Sequence, residues 1–314
     1  MILLVDGLNM FMRHYVANPT MTNNGDPAGG VVGFLRGIGN LCGQFSPKQV
    51  HIFWEGGGSL RRRAIYKDYK RGRKPQKFNR YYEDDIPDTP SNRIGQVAFL
   101  TKSMRNLPVY QHYIKDCEAD DVIGYCARYK FKNNEIMIVS SDKDFYQLVD
   151  DRVTIWSPGQ KKRITVTDVL EKLYVHPNNV VLTRACVGDS SDNIGGIKGV
   201  GLKTMAKRFV ALQTEEQVAL EFLFTECEQL QETSKARVYQ DIIDGKDIIK
   251  RNLKLMRLDI SNLAATQIQQ IEGSLEINEK RYDKLSFLRN LRRFGLINFD
   301  PNSLFLSMNI LNKW

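Results

Sequence analysis

The 314-residue chain has little of what disulfide, zinc or membrane proteins need. Its five cysteines, Cys42, Cys117, Cys126, Cys186 and Cys227, are scattered, odd in number and form no CxxC pair. That pattern speaks against a disulfide framework and fits a reducing, cytoplasmic compartment. The four histidines form no HxxxH pair, so a zinc site is not expected. No run of 18 apolar residues exists, so neither a transmembrane helix nor a membrane partner is expected. The start, MILLVDGLN, lacks a basic segment and carries Asp6, so it reads as a strand and not as a signal peptide. There is no low-complexity tract, and 42% of the residues are hydrophobic, enough for a packed core in one large domain or two ordinary ones.

What the chain does have is carboxylates at the ends of apolar runs. ILLV ends in Asp6, VHIFW ends in Glu55, and EIMIVS leads into Asp142 and Asp144. The short run LPVYQ, read as a strand, precedes Glu118, Asp120 and Asp121 by a few residues; GDSSDN supplies Asp189 and Asp192. In open α/β sheets the crevice at the carboxyl ends of the strands is where ligands bind. Two carboxylates about 4 Å apart repel by on the order of 4 kcal/mol at an effective dielectric of 20. Hard divalent cations with oxygen ligands neutralise such a group. Any one of these pairs alone is an ordinary turn or helix-capping acid; nine in five places are not.

The formal net charge is +9, so the acids coexist with a concentrated excess of base. Residues 61–80 hold ten Lys or Arg and one acid, Asp68. Tyr66, Tyr69 and Phe78 are interleaved with them. Cations with aromatics suit single-stranded nucleic acid, through phosphate contacts and base stacking. Like charge at that density is expected to stay mobile until phosphate arrives. A second basic constellation spans 186–209, CVGDSSDNIGGIKGVGLKTMAKRF. Two helices are expected to flank its Gly-rich turn. Gly196, Gly199 and Gly201 let backbone N–H groups approach a phosphate, with Lys198, Lys203, Lys207 and Arg208 close by. A plain helix–turn–helix with glycine caps is the simpler alternative.

Patterning predicts strand–helix alternation over the first part of the chain, hence an α/β fold with a mostly parallel central sheet flanked by helices. GGVVGFLRGIGNLCGQF and RIGQVAFLTKSMRNL read as helices, Val122 to Lys130 as another, and a helix capped at Thr167 or Asp168 follows the strand RVTIWSP. From about Thr183 the pattern turns helical. This divides the chain into residues 1–183 and a helical region 184–314, whose apolar tail SLFLSMNILNKW is expected to dock on the body.

Taken in order, LLVDGLN, DPAGGVVGFL, IFWE with an arginine seven residues on, YKRGR, EADD, SSDKD and GDSSDNIGGIKGVG resemble the 5′-nuclease superfamily over residues 1 to about 210. That superfamily comprises flap endonucleases, 5′–3′ exonucleases and the 5′-nuclease domain of bacterial DNA polymerase I. The resemblance, nearest to stand-alone phage enzymes and so to a host cytoplasm, implies a PIN-like catalytic domain over 1–183. Residues 60–93 would form its helical arch, and 186–209 a helix–two-turn–helix in the DNA-binding region, with a potassium ion there. It implies Asp6, Glu55, Glu118 and Asp120 as one metal set, with Asp121 in the same motif. Asp142, Asp144, Asp189 and Asp192 would be the second. Lys70 and Arg73 match the basic pair at the scissile phosphate, and Arg62 and Tyr69 are further expected DNA contacts. The implied cofactor is two Mg²⁺, with Mn²⁺ as a substitute. The implied substrate is DNA with a 5′ flap, nick or free 5′ end, or an RNA–DNA hybrid as for a ribonuclease H, acted on by a monomer in replication or repair. A single-strand binding protein and a clamp are the expected protein partners.

Two positions depart from the pattern. Glu55 stands where Asp is usual, and Lys143 sits inside SDKD, where it competes with a cation if it points inward. A structure-specific DNA binder with weak catalysis and a PIN-type single-strand ribonuclease are the competing readings. Metal-dependent cleavage separates the first from a nuclease, and substrate preference the second.

Overall fold

The computed structural model describes residues 1–72, 90–277 and 282–313. The run ILLVD forms β1 (Ile2–Asp6), the centre of the fold. It pairs in parallel with β2 (Gln49–Trp54) on one side. β3 (Tyr110–Tyr113) lies outside β2, and β4 (Ile136–Val139) pairs in parallel with β1 on its other side. β5 (Val153–Ser157) continues the parallel order and β6 (Lys162–Ile164) closes the edge antiparallel, giving β3-β2-β1-β4-β5-β6. The chain leaves β1 toward β2 and returns to its other flank as β4, so the order reverses at β1 and opens a crevice at the carboxyl ends of β1 and β4. The expected mostly parallel α/β sheet is present.

Both faces are covered because the strands alternate. Leu3, Val5, Met137 and Val139 point to one apolar cluster, and Leu4 and Ile138 to the other. The first cluster is closed by α1 (Gly7–Ala17), α2 (Gly29–Phe45) and, after the short α3 (Leu60–Ile65), by α4 (Pro90–Met104). Glycines of α2 meet neighbouring helices closely: a Cβ on Gly33 would lie 2.5 Å from the His14 ring. The opposite face is closed by α5 (Ala119–Tyr125), which runs on as a π-helical turn to Lys130, by α6 (Val166–Leu173) and by α7 (Pro177–Val187).

Several boundaries differ from the sequence reading. β3 begins three residues later than LPVYQ, since Pro108 has no N–H to give a ladder. α5 begins at Ala119, because Glu118 takes the N-cap position and Asp120 and Asp121 suit a helix's first turn. α6 is capped by Thr165, whose capping box with Asp168 outcompetes Thr167. Residue 183 falls inside α7, and the apolar cluster on that face continues through both of its ends.

After α7 comes a small ladder, β7 (Gly188–Asp189) with β8 (Ile194–Gly195), and then α8 (Leu202–Arg208). α9 (Leu220–Thr233) and α10 (Arg237–Asp244) pack together, and α11 (Lys246–Met256) packs on α7. α12 (Ala265–Ile277), α13 (Lys284–Arg293) and α14 (Asn302–Met308) complete the chain. The apolar tail docks: Leu304, Phe305, Met308 and Leu311 are buried, with α14 against α2. All five cysteines are buried and unpaired. Among the described residues no helix is long and apolar enough to cross a membrane.

Candidate active site

Each of the nine acids is delivered by a backbone device that the local sequence dictates. Asp6 ends β1 and caps α1, accepting the Asn9 N–H at 3.1 Å and the Ser140 hydroxyl at 3.1 Å. Glu55 follows β2 directly and reaches the first turn of α5, where Ala119 N–H lies 3.4 Å from Oε2. Asp142 caps the 3₁₀ helix Lys143–Leu148 by accepting from Asp144 N–H at 2.9 Å. Asp189 and Asp192 bracket the turn between β7 and β8.

Burial and mutual repulsion set the electrostatics. Burial pushes Asp6 up to about 7, and the charges of Asp142 and Asp120 add to it. Glu55 is pushed up to about 7 by burial, then by Asp120 and Glu118. Asp144 is raised to about 7 by burial, against the pull of Arg184, with Asp142, Asp120 and Asp192 raising it further. The acids from all five places therefore share one field. Asp120, also raised by burial, has a buried Oδ1 that accepts no hydrogen bond; Arg62 Nη1 is 3.6 Å away.

Three cations lie among these acids. Arg62 is 2% exposed and sits inside the cluster. Its Nη1 donates to Glu118 at 2.7 Å and to Asp121 at 2.6 Å, its Nη2 to Asp121 at 2.8 Å, and its Nε to the Leu255 carbonyl at 2.7 Å. Lys70 Nζ donates to Glu118 at 2.7 Å and lies 4.0 Å from Asp192. Arg184 pairs with both Asp144 and Asp189. Although burial alone would raise Glu118, Lys70 and Arg62 hold it below the usual carboxylate range. Asp121 is raised to about 8 by burial, against the pull of Arg62.

Part of the basic stretch is built into the fold. Within residues 61–72, Arg61, Arg63, Lys67 and Arg71 are exposed, whereas α3 carries Arg62 inward and Tyr69 is buried beside Val181, Ile194 and Leu255 with its hydroxyl on Glu118 at 2.8 Å. Arg62 and Tyr69, expected as DNA contacts, are turned inward, where Arg62 pairs with Glu118 and Asp121 and the Tyr69 hydroxyl donates to Glu118. Tyr66 stacks under Arg251 of α11, 4.4 Å from its guanidinium carbon. The segment is also tied to the hairpin: Lys70 N–H donates to the Asp192 carbonyl at 2.9 Å and Asn193 Nδ2 to the Asp68 carbonyl at 2.8 Å. Lys70 itself sits in the left-handed region, at φ 56. Arg73, Phe78 and half of the expected arch lie outside the described residues.

The hairpin brings the remaining expected residues to the surface beside this cluster. Lys198, Lys203 and Lys207 are exposed, with Lys203 Nζ 5.4 Å from the centre of the Tyr174 ring. Gly196 abuts the end of α7, where a Cβ would come within 2.1 Å of Val187 backbone. Gly199 has a positive φ of 78, and Gly201 precedes α8 in open space. Lys143 is exposed and, among the described residues, forms no ion pair with the acids. Arg184 escaped the sequence reading; its only signal was a lone cation in the apolar helix VVLTRACV, four residues before Gly188.

A mostly parallel sheet with its order reversed over a carboxylate-filled crevice defines an α/β protein with an all-oxygen site suited to hard cations. The chain belongs to the 5′-3′ exonuclease family: its N-terminal resolvase-like domain matches residues 1–174. A 5′-3′ exonuclease of Aquifex aeolicus is 29% identical over 279 residues, 86% of this chain and 91% of that protein. Flap endonuclease Xni of a Shewanella species is 30% identical over 257 residues, 82% of this chain and 89% of that protein. Among solved structures, T5 5′-exonuclease with divalent metal ions (zinc) bound superposes with a TM-score of 0.70 at 21% identity, covering 88% of this chain and 99% of that one. The protein is thus an enzyme, a 5′ nuclease that hydrolyses phosphodiester bonds.

Proposed function

We propose that the carboxylates hold two Mg²⁺ ions, with Mn²⁺ as a substitute, and that the enzyme cuts DNA at 5′ flaps, nicks and free 5′ ends. The observation that carries this is the convergence of nine acids from five places in the chain on one crevice, with three cations among them. The donor set fits a hard cation: all oxygen, several groups near neutrality, and a buried Asp120 oxygen without a hydrogen bond. One oxygen each of Glu118, Asp120 and Asp121 lie within 4.8 Å of one another. Asp6, Glu55, Glu118 and Asp120 would hold one ion, and Asp142, Asp144, Asp189 and Asp192 the other. Asp121, with both oxygens on Arg62, serves to hold that arginine. Bound there, the ions would lower the pKa of the attacking water and neutralise charge in an in-line displacement.

The chain's own groups do the rest. Lys70 stands over Glu118 at the mouth of the crevice and is placed to meet a scissile phosphate, with Arg73 as its companion from the arch. Lys198, Lys203 and Lys207 hold duplex through its phosphates and read no sequence. A potassium ion at the hairpin would assist that grip. Residues 1–183, with α13 and α14 packed on them, would form the catalytic part, and the hairpin and helices that follow α7 within 184–314 the duplex-holding part. RNA in an RNA–DNA hybrid is a further substrate, the enzyme works as a monomer in the cytoplasm, and a single-strand binding protein or clamp would recruit it.

The test is a nicked duplex with a labelled 5′ flap, incubated with Mg²⁺ or EDTA. Release of the flap near the junction only with Mg²⁺ is expected. Tight binding without cleavage in either Mg²⁺ or Mn²⁺ would overturn the reading and make Glu55 the first residue to revert to Asp.

A further inference from the structure

The amino edge of the sheet, opposite the carboxylates, carries a cavity of about 220 Å³ that the nuclease chemistry does not use. Arg128 from the middle of the π-helical turn, Asp150 and Arg152 before β5, and Arg257 after α11 line it, with Gln217 exposed at one side. Three arginines and one acid therefore line the same cavity, and Asp150 is already engaged by the N–H groups of Arg152 and Val153. Arg152 is held by the carbonyls of Ala127, Phe131 and Asn134, at 2.9 to 3.1 Å. Arg128 donates to the Gln147 carbonyl at 3.1 Å and stands 4.0 Å from Asp259. The guanidinium of Arg257 makes no hydrogen bond or ion pair among the described residues. Burial holds Arg128 below the usual arginine range, Asp259 opposes that, and the charge of Arg257 adds to it. Two guanidiniums that repel across a cavity are stabilised by an anion between them. The planar fork of arginine matches the oxygens of a phosphate.

We propose that this cavity is a second anion site, which takes a small free phosphate-bearing ligand such as inorganic phosphate or a 5′-mononucleotide. Its size is below the roughly 300–1,000 Å³ of most cofactor pockets, which favours a small ligand. Its position favours a free one. Val153 on its wall begins β5, whereas the acids follow the far ends of β1, β2 and β4, so a strand lying across the crevice runs on the other edge of the sheet. The site is also wired to the crevice. Gln147 on the cavity wall donates to the Asp144 carbonyl at 2.9 Å and to the Met256 carbonyl at 3.0 Å, and accepts from Leu258 N–H at 2.9 Å. The preceding Leu255 carbonyl is the one that Arg62 Nε holds. An anion that draws in Arg257 therefore acts on a segment tied to both sets of acids.

The experiment is a titration of the full chain in EDTA with inorganic phosphate and separately with dAMP, followed by calorimetry and ³¹P NMR. Wild type, Arg257→Glu, Arg257→Gln and Lys70→Ala are compared, with folding checked by circular dichroism. Saturable binding that weakens at least about tenfold in both Arg257 variants, stays in Lys70→Ala, and leaves duplex binding of the Arg257 variants unchanged supports the proposal. Should Arg257→Glu fail to fold, Arg257→Gln decides alone. Three results would overturn it: no saturable binding to wild type, loss in Lys70→Ala with retention in the Arg257 variants, or equal loss of duplex and phosphate binding. The second would place the anion in the crevice, and the third would make Arg257 a backbone contact to DNA.

Discussion

Arg62 grips both carboxylate oxygens of Asp121, at 2.6 and 2.8 Å, in a place where neither side chain exceeds 2% exposure. The pair joins the start of the basic stretch to α5. Removing one partner strands a buried charge. Arg62→Ala is expected to destabilise the fold by about 3–5 kcal/mol. Denaturant unfolding in EDTA measures it, and a loss under about 1 kcal/mol would show the pair to be surface-like.

Asp142 follows β4 at the centre of the crevice and makes few structural bonds beyond its cap on Asp144. Asp142→Ala is therefore expected to cut flap cleavage by at least about a hundredfold while duplex affinity holds. Single-turnover cleavage and gel-shift titration on the same preparation separate the two. Equal loss of both would count against the metal assignment.

Lys70 donates to Glu118 at 2.7 Å and keeps about a quarter of its side chain exposed. Lys70→Ala should slow the chemical step on the order of a hundredfold and weaken duplex binding far less. A matched fall in both would make Lys70 a general phosphate contact.

Without metal, stability should fall as pH rises toward 8. Asp6, Glu55 and Asp144 titrate near 7 when folded, above the ordinary carboxylate value, so their protons stabilise the fold at low pH and that contribution is lost as pH climbs through 7. His14 and His112, both lowered to about 4 by burial, act in the opposite sense below pH 6.5, where the unfolded chain binds the proton first. Three such carboxylates outweigh the two histidines over the window they share, so melting temperatures in EDTA should fall from about pH 5 to pH 7 and level off above it. Added Mg²⁺ should restore stability at pH 8, and a flat profile would argue that the acids are better solvated than their burial implies.

Leu304 of α14 packs on Gly39 of α2, where a Cβ would stand 3.2 Å from Leu304 Cδ1. Leu304→Ala is expected to cost about 2–5 kcal/mol, read by thermal or denaturant unfolding. Leu306, 75% exposed on the same helix, should tolerate Ala within about 0.5 kcal/mol.

The sequence by itself determined the strands that carry Asp6, Glu55 and Asp142, because a short apolar run ending in an acid needs only local propensity and burial to be read. It determined the hairpin and its exposed lysines for the same reason: glycine spacing is a local backbone constraint. Tertiary structure alone decided what the basic stretch does. Density of charge implies a solvated, mobile loop, yet Arg62 and Tyr69 turn inward because acids more than 45 residues away in the chain are buried beside them. It alone placed Arg184 between Asp144 and Asp189, and Gln147 between Asp144 and Met256. A long polar side chain carries no periodic signal, and its partner is set by which helices pack together. The physical division is between range and register: backbone preferences act over a few residues and are legible, while the pairing of buried charges is settled only when the sheet and its helices close around them.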